Sequence, residues 1–328
     1  LAAWLISIVA LIWLALAPDW RWAIPGFALF FISSFARPAL SGYVAASDKS
    51  GDIGRTFAAV FSGYWIGSIL APALGGWIGE HVGLRAVLWC SAGFNLISTL
   101  FLARLTDLKA APRARAADPR RLLTDRAFLW HLFVFLLMFF ALDVGVVLAP
   151  NYLQAAKGLR LEQIGQLGAA ASLGSIILSY WLGQMRAEGL RSLLLTQLAV
   201  MLALMLLLAL PAFTVGPGFY PVFFLAYFLR GGVNTTWTLT SSRLSRWLEP
   251  EVLSLGFGFR DTITRLALIA SPFVAGQLYE RSPALPLYFG LMAIGLTSLL
   301  TFSLPRGRRQ VSQTLATAAE PEPSTSTT

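Results

Sequence analysis

The chain is poor in the groups that catalysis and redox chemistry use. Among its 328 residues there is one cysteine, Cys90, and there are two histidines, His81 and His131. One cysteine excludes an intrachain disulfide. Two histidines far apart in sequence and a single thiol supply no metal cluster and no nucleophile–base pair. No glycine-rich phosphate loop is present either. These absences argue against an enzyme, and the missing ATP-binding motif argues against a primary pump. The sequence calls for no cofactor and no metal. Charge is scarce as well. Asp, Glu, Lys and Arg make up 12% of the residues, against about 25% in a soluble domain.

What the chain has instead is apolar length. It is 56% hydrophobic, with a mean hydropathy of +0.67. No single globular core needs that much apolar surface, so the expected solvent is lipid. The net charge is +9 and the pI is near 10.2. A nucleic-acid binder gathers its basic residues on a polar face, whereas here they sit between apolar runs, which excludes a nucleic-acid partner. A bilayer takes about 20 apolar residues as a helix. Ten such spans are expected, near 1–17, 22–45, 56–79, 84–104, 127–152, 163–184, 191–212, 219–242, 253–278 and 284–304. The first apolar run begins at Leu1 with no signal-peptide pattern, so the natural N-terminus is expected upstream.

The polar, basic stretch 105–126 divides the spans. The expected organisation is an N-terminal four-helix bundle at 1–104, a linker at 105–126, a C-terminal six-helix bundle at 127–305 and a disordered tail at 306–328. Loops rich in Lys and Arg stay cytoplasmic. With the linker inside, sixteen Lys and Arg fall on its side and five on the other. The expectation is a multi-pass protein of the cell membrane with linker and tail in the cytoplasm.

The chain also echoes itself. At an offset of 200 residues Pro72 meets Pro272, Gly76 meets Gly276 and Glu80 meets Glu280. One span earlier, Phe35-Ala36-Arg37 is similar to Phe228-Leu229-Arg230. Two parallel halves of like topology are a transporter architecture. Four spans before the linker and six after it imply two further spans ahead of Leu1.

The stretch GSILAPALGG, Gly67 to Gly76, resembles motif C of the major facilitator superfamily, a G-x-x-x-G-P-x-x-G-G pattern on the fifth helix. Gly67, Pro72, Gly75 and Gly76 match it, and Ala71 stands where the family prefers glycine. GLRAVLW, Gly83 to Trp89, is similar to the family's G-W-R-x-x-F at the head of the sixth helix. Arg37 resembles the arginine of helix four, with Gly42 displaced by one. GQMRAEGLR, Gly183 to Arg191, falls where the second-half loop signature belongs but lacks its acidic residue. The resemblance implies an all-α integral membrane protein of two bundles, with ten helices present of twelve. It also implies a monomeric secondary transporter that moves a small molecule by alternating access, through proton-coupled efflux. Proton-linked uptake of a metabolite such as an anion, or a non-transporting sensor of the same fold, are the alternatives.

In lipid, small residues let helix backbones approach closely. Gly67, Pro72, Gly75, Gly76, Pro272 and Gly276 are therefore expected at helix packing or bending points. Charged side chains at membrane depth face a cavity or a partner. Asp261 and Arg265, four apart on one helical face, are expected to pair. Arg260 is expected to snorkel to the inner interface. Arg37, Asp143 and Arg230 are the candidates for a central substrate and proton cavity. Asn95, Asn234 and Trp237 are candidates to line it. The alternative for each is helix–helix bonding alone. Asp143 is the deepest carboxylate in the sequence and the candidate proton carrier.

Overall fold

The computed structural model describes residues 1–33, 43, 53–105, 119–185, 190–209, 220–248 and 250–305. Arg37, Gly42, most of the linker and the tail 306–328 lie outside the described residues. Every regular element among them is a helix: α1 (Ala2–Leu16), α2 (Trp20–Ile32), α3 (Ile53–His81), α4 (Leu84–Ala103), α5 (Pro119–Leu123), α6 (Arg126–Val146), α7 (Ala149–Lys157), α8 (Leu161–Gly183), α9 (Leu190–Ala209), α10 (Tyr220–Arg230), α11 (Gly232–Trp247), α12 (Pro250–Arg281) and α13 (Leu285–Thr301).

Large apolar side chains cover much of the outer surface, and several hydroxyls and an amide lie inside. Phe94, Phe101, Trp181, Ile269, Phe273 and Met292 are each 69–74% exposed. Meanwhile Gln197, Thr196, Thr235, Thr236, Thr240, Thr264, Ser271 and Thr301 are fully buried. Apolar side chains turned outward suit a hydrocarbon solvent, and buried hydroxyls then serve as bonds between helices. The stretches Leu84–Ala103, Arg126–Lys157 and Leu190–Ala209 are both long and apolar enough to cross a bilayer. Helices α3 and α12, of 29 and 32 residues, reach about 44 and 48 Å at 1.5 Å per residue.

The chain forms two compact units, Leu1–Arg115 with Leu159–Ala169, and Ala116–Gly158 with Ala170–Thr328. In the first, α1 packs on α2 and α4, and α3 packs on α4. Asp19 starts α2 by accepting a hydrogen bond from Arg21 N at 2.8 Å, and Trp13 Nε1 donates to Trp22 O at 2.7 Å. Gly83 precedes α4 with φ of 115°, a conformation that glycine adopts without steric cost.

The second unit is built around α6. Twelve of its 21 residues are buried, and it packs on both α12 and α13. The Asp125 carboxylate caps it, accepting from Ala127 N at 2.9 Å and Phe128 N at 3.4 Å. Such a cap stabilises by about 1 kcal/mol. Gln197 ties α9 to α13. Its Nε2 donates to Thr301 Oγ1 at 2.9 Å, while its Oε1 accepts from Thr297 and Ser298 at 3.1 and 3.0 Å. Every polar atom of this amide is used, so its burial carries no unpaired group.

Two expected spans are each broken in two. The span near 127–152 ends as α6 at Val146, and α7 begins at Ala149. Pro150 is the cause. Proline has no N–H to bond the carbonyl four residues back, and its ring crowds that carbonyl. The span near 219–242 is interrupted at Gly231, and its second part runs on to Trp247. Gly231 N bonds Phe228 O at 3.1 Å, a tightened turn. A Cβ on Gly231 would lie 2.6 Å from Ala171 O, so the backbone of α8 fits there only against a glycine. The end of the 105–126 segment also folds. It forms α5, with Leu122 buried against Phe128, Leu132, Trp247 and Leu248.

Candidate functional site

The first unit carries the motif-C-like stripe. Pro72, Gly76 and Glu80 are four residues apart on α3 and share one face. All three meet the start of α8. A Cβ on Gly76 would lie 2.7 Å from Leu161 O and 2.8 Å from Gly165 Cα. A Cβ on Gly168 would lie 2.8 Å from the Pro72 Cβ. The Glu80 carboxylate accepts a hydrogen bond from Leu161 N at 2.9 Å, satisfying an N-terminal amide of α8. A Cβ on Gly75 would lie 3.7 Å from Val87 Cγ1, and one on Gly67 would meet nothing within 4 Å among the described residues. Gly67 is five residues before Pro72, which turns it about 140° away from the stripe.

This geometry separates two substitutions that sequence alone treats alike. Gly67→Ala should leave the protein as stable or raise stability by up to about 1 kcal/mol, the helix-propensity gain. Gly76→Ala should lower it by about 1–3 kcal/mol, because two backbones must move apart. Thermal unfolding in detergent measures both. Shifts of the same sign and size would rule out the close contact.

In the second unit Pro272 is interior to α12, nine residues from its end, as Pro72 is in α3. Pro272 is exposed, and a Cβ on Gly276 would meet nothing within 4 Å among the described residues.

The second unit also gathers most of the candidate cavity residues. Asp143, on α6, accepts a short hydrogen bond from Ser271 Oγ on α12. Arg230, at the end of α10, donates from Nη2 to Val146 O at 3.3 Å. Val146 O is the carbonyl that Pro150 leaves without its helical N–H. One proline thus creates the acceptor that holds the Arg230 guanidinium. Arg230 also lies over the Tyr227 ring at 5.0 Å. Its Nε is buried without a hydrogen-bond partner among the described residues. Asn234, exposed, donates to Ser175 Oγ at 3.2 Å on α8, beside the close contact of Gly231.

Trp237, on α11 seven residues after Arg230, joins this layer to a second one. Its ring lies 5.7 Å from Phe139 on α6 and 4.5 Å from the Arg260 guanidinium on α12. Arg260 differs from the expectation of an interfacial side chain. It is 3% exposed, and its Nη1 donates to Trp237 O, Thr240 Oγ1 and Ser241 Oγ at 3.1, 3.3 and 2.8 Å. The expected Asp261–Arg265 pair also gives way to a different one. Asp261 Oδ1 lies 2.5 Å from Arg260 Nη2, and no pair with Arg265 forms among the described residues. The reason is burial. An uncompensated charge inside is costly, whereas Arg265 is exposed and needs no carboxylate.

Asn95 belongs to the first unit. Its Nδ2 donates to Ser7 Oγ, bonding α4 to α1. Ser271, Ser175 and Arg260 were missed as site residues. Serine in a span reads as packing, and only the fold puts Ser271 opposite a carboxylate. The signal for Arg260 was its adjacency to Asp261 within one span.

A helical architecture with large apolar side chains outside and hydroxyl and charged groups bonded between helices fits a multi-pass membrane protein. The family model described as Major Facilitator Superfamily matches residues 1–244, and the chain belongs to that superfamily. It is a membrane transporter acting on small molecules. Among curated proteins none matches it.

Proposed function

We propose that the protein is a secondary active transporter that exports a small molecule by alternating access, driven by protons entering through Asp143. The supporting observation is the Asp143–Ser271 bond between α6 and α12, beside Arg230. A carboxylate there accepts from the serine hydroxyl. Once protonated it can donate instead, so proton binding changes a bond between two helices. Asn234 and Trp237 then line the path of the substrate, and Arg37 supplies the equivalent charge in the first half. The motif-C-like stripe Pro72–Gly76 supports the export direction. The architecture in this reading is two bundles separated by the linker 105–126, with ten helices of a twelve-helix plan. Everted vesicles holding an acid interior test this. Adding a transported compound from a panel of cationic and anionic dyes should release protons from the lumen. Dye movement indifferent to the pH gradient would overturn proton coupling.

In this reading the linker and tail face the cytoplasm, from the distribution of Lys and Arg. A cysteine at Ser312, in a Cys90→Ser background, should resist an impermeant maleimide in intact cells and react after permeabilisation. Efficient labelling of intact cells would reverse the orientation.

A further inference from the structure

A pocket of about 470 Å³ lies in the second unit where α5, the start of α6, the end of α11 and the start of α12 meet. Its apolar walls are Leu122, Trp247, Leu248 and Val252, all part of one buried cluster with Phe128 and Leu132. Its charged lining is Arg121, Asp125 and Arg126. The Asp125 carboxylate is engaged by the backbone amides that start α6. Both arginines are exposed. The volume falls within the range of small-molecule sites, about 300–1,000 Å³. Nothing in the transport reading uses this pocket.

We propose that it binds the phosphate of an acidic phospholipid headgroup, with Arg121 and Arg126 as the phosphate ligands. Guanidinium forks match phosphate oxygens in geometry and charge. A soluble phosphate would gain the same arginines but nothing from four apolar wall residues, whereas a lipid also presents the first methylenes of its acyl chains to them. The level is also right. The pocket sits where the apolar stretch Arg126–Lys157 begins, and Trp247 in its wall is a residue type enriched at membrane–water interfaces. Acidic lipids of the cytoplasmic leaflet attract basic segments beside the membrane. The segment leading to this pocket carries Lys109, Arg113, Arg115, Arg120, Arg121 and Arg126. Assignment to the cytoplasmic leaflet rests on the orientation proposed above. The binding itself does not.

The test titrates the detergent-purified protein with dioleoylphosphatidylglycerol, dioleoylphosphatidylcholine or inorganic phosphate and follows thermal unfolding. Phosphatidylglycerol should raise the melting temperature saturably, and the other two should not. Arg121→Gln/Arg126→Gln should weaken the phosphatidylglycerol response about thirtyfold, at about fivefold per basic residue. Arg113→Gln/Arg115→Gln removes equal charge from the same segment and should leave the response intact. If the first double variant cannot be purified, Arg126→Gln alone should show about a fivefold loss. Equal loss in both double variants would overturn the pocket in favour of diffuse attraction. An equal response to inorganic phosphate would overturn the lipid assignment. No response to phosphatidylglycerol would overturn the proposal outright. The Ser312 labelling reports orientation whatever the lipid result, so the two failures are distinguishable.

Discussion

Asp143→Asn should abolish compound-driven proton release in the vesicle assay, down to the level of vesicles without the protein. Downhill exchange of the same dye should persist. Asparagine keeps the shape and can still accept from Ser271 Oγ, so the α6–α12 contact survives and expression should be normal. What it cannot do is take up a proton. Coupling and movement therefore separate in this variant alone. Retained proton release would remove Asp143 from the mechanism. Ser271→Ala is the companion. It keeps the carboxylate but deletes its hydroxyl partner, so it should shift the pH dependence of transport without eliminating it.

The second large effect concerns Arg230 and Pro150. Arg230→Ala should destabilise the protein by about 1–3 kcal/mol, because Val146 O is left inside without a donor. Pro150→Ala restores a backbone N–H four residues after Val146. In that background Arg230→Ala should cost markedly less, giving a coupling energy within the range of about 0.5–3 kcal/mol seen for contacting groups. The wild-type arginine and the new N–H need not compete, since a carbonyl has two lone pairs. Denaturation of the four variants in detergent measures the cycle. Additive losses would show that Arg230 does not serve this carbonyl. Transport adds a separate readout. Arg230→Lys keeps the charge but loses the fork, so a fall in substrate affinity at unchanged stability would place the guanidinium on the substrate.

Much of this protein was legible from composition and spacing. Scarce charge and apolar runs of membrane length pointed to a helical protein in lipid, because a helix crosses with about 20 apolar residues and a strand with only about 9–11. The motif-C-like stretch named the family, and the family model agrees over residues 1–244. The step of four between Pro72, Gly76 and Glu80 already placed them on one helical face. Asp143 and Arg230 stood out because charge inside an apolar run needs a reason.

Partner choice belonged to the tertiary structure. Helical spacing offered Asp261 to Arg265, but burial of Arg260 claimed the carboxylate, and burial is a property of the packed unit rather than of spacing. Pro150 lies inside an expected span, and only packing brings Arg230, eighty residues on, to the carbonyl that the proline frees. Gly67 and Gly76 are equal letters in one motif, yet only Gly76 touches another backbone. Local sequence sets periodicity, caps and breaks, because these depend on neighbours along the chain. Which charge is neutralised, which carbonyl is served and which glycine is indispensable depend on what a distant helix brings within about 3 Å, and that is decided only when the helices pack.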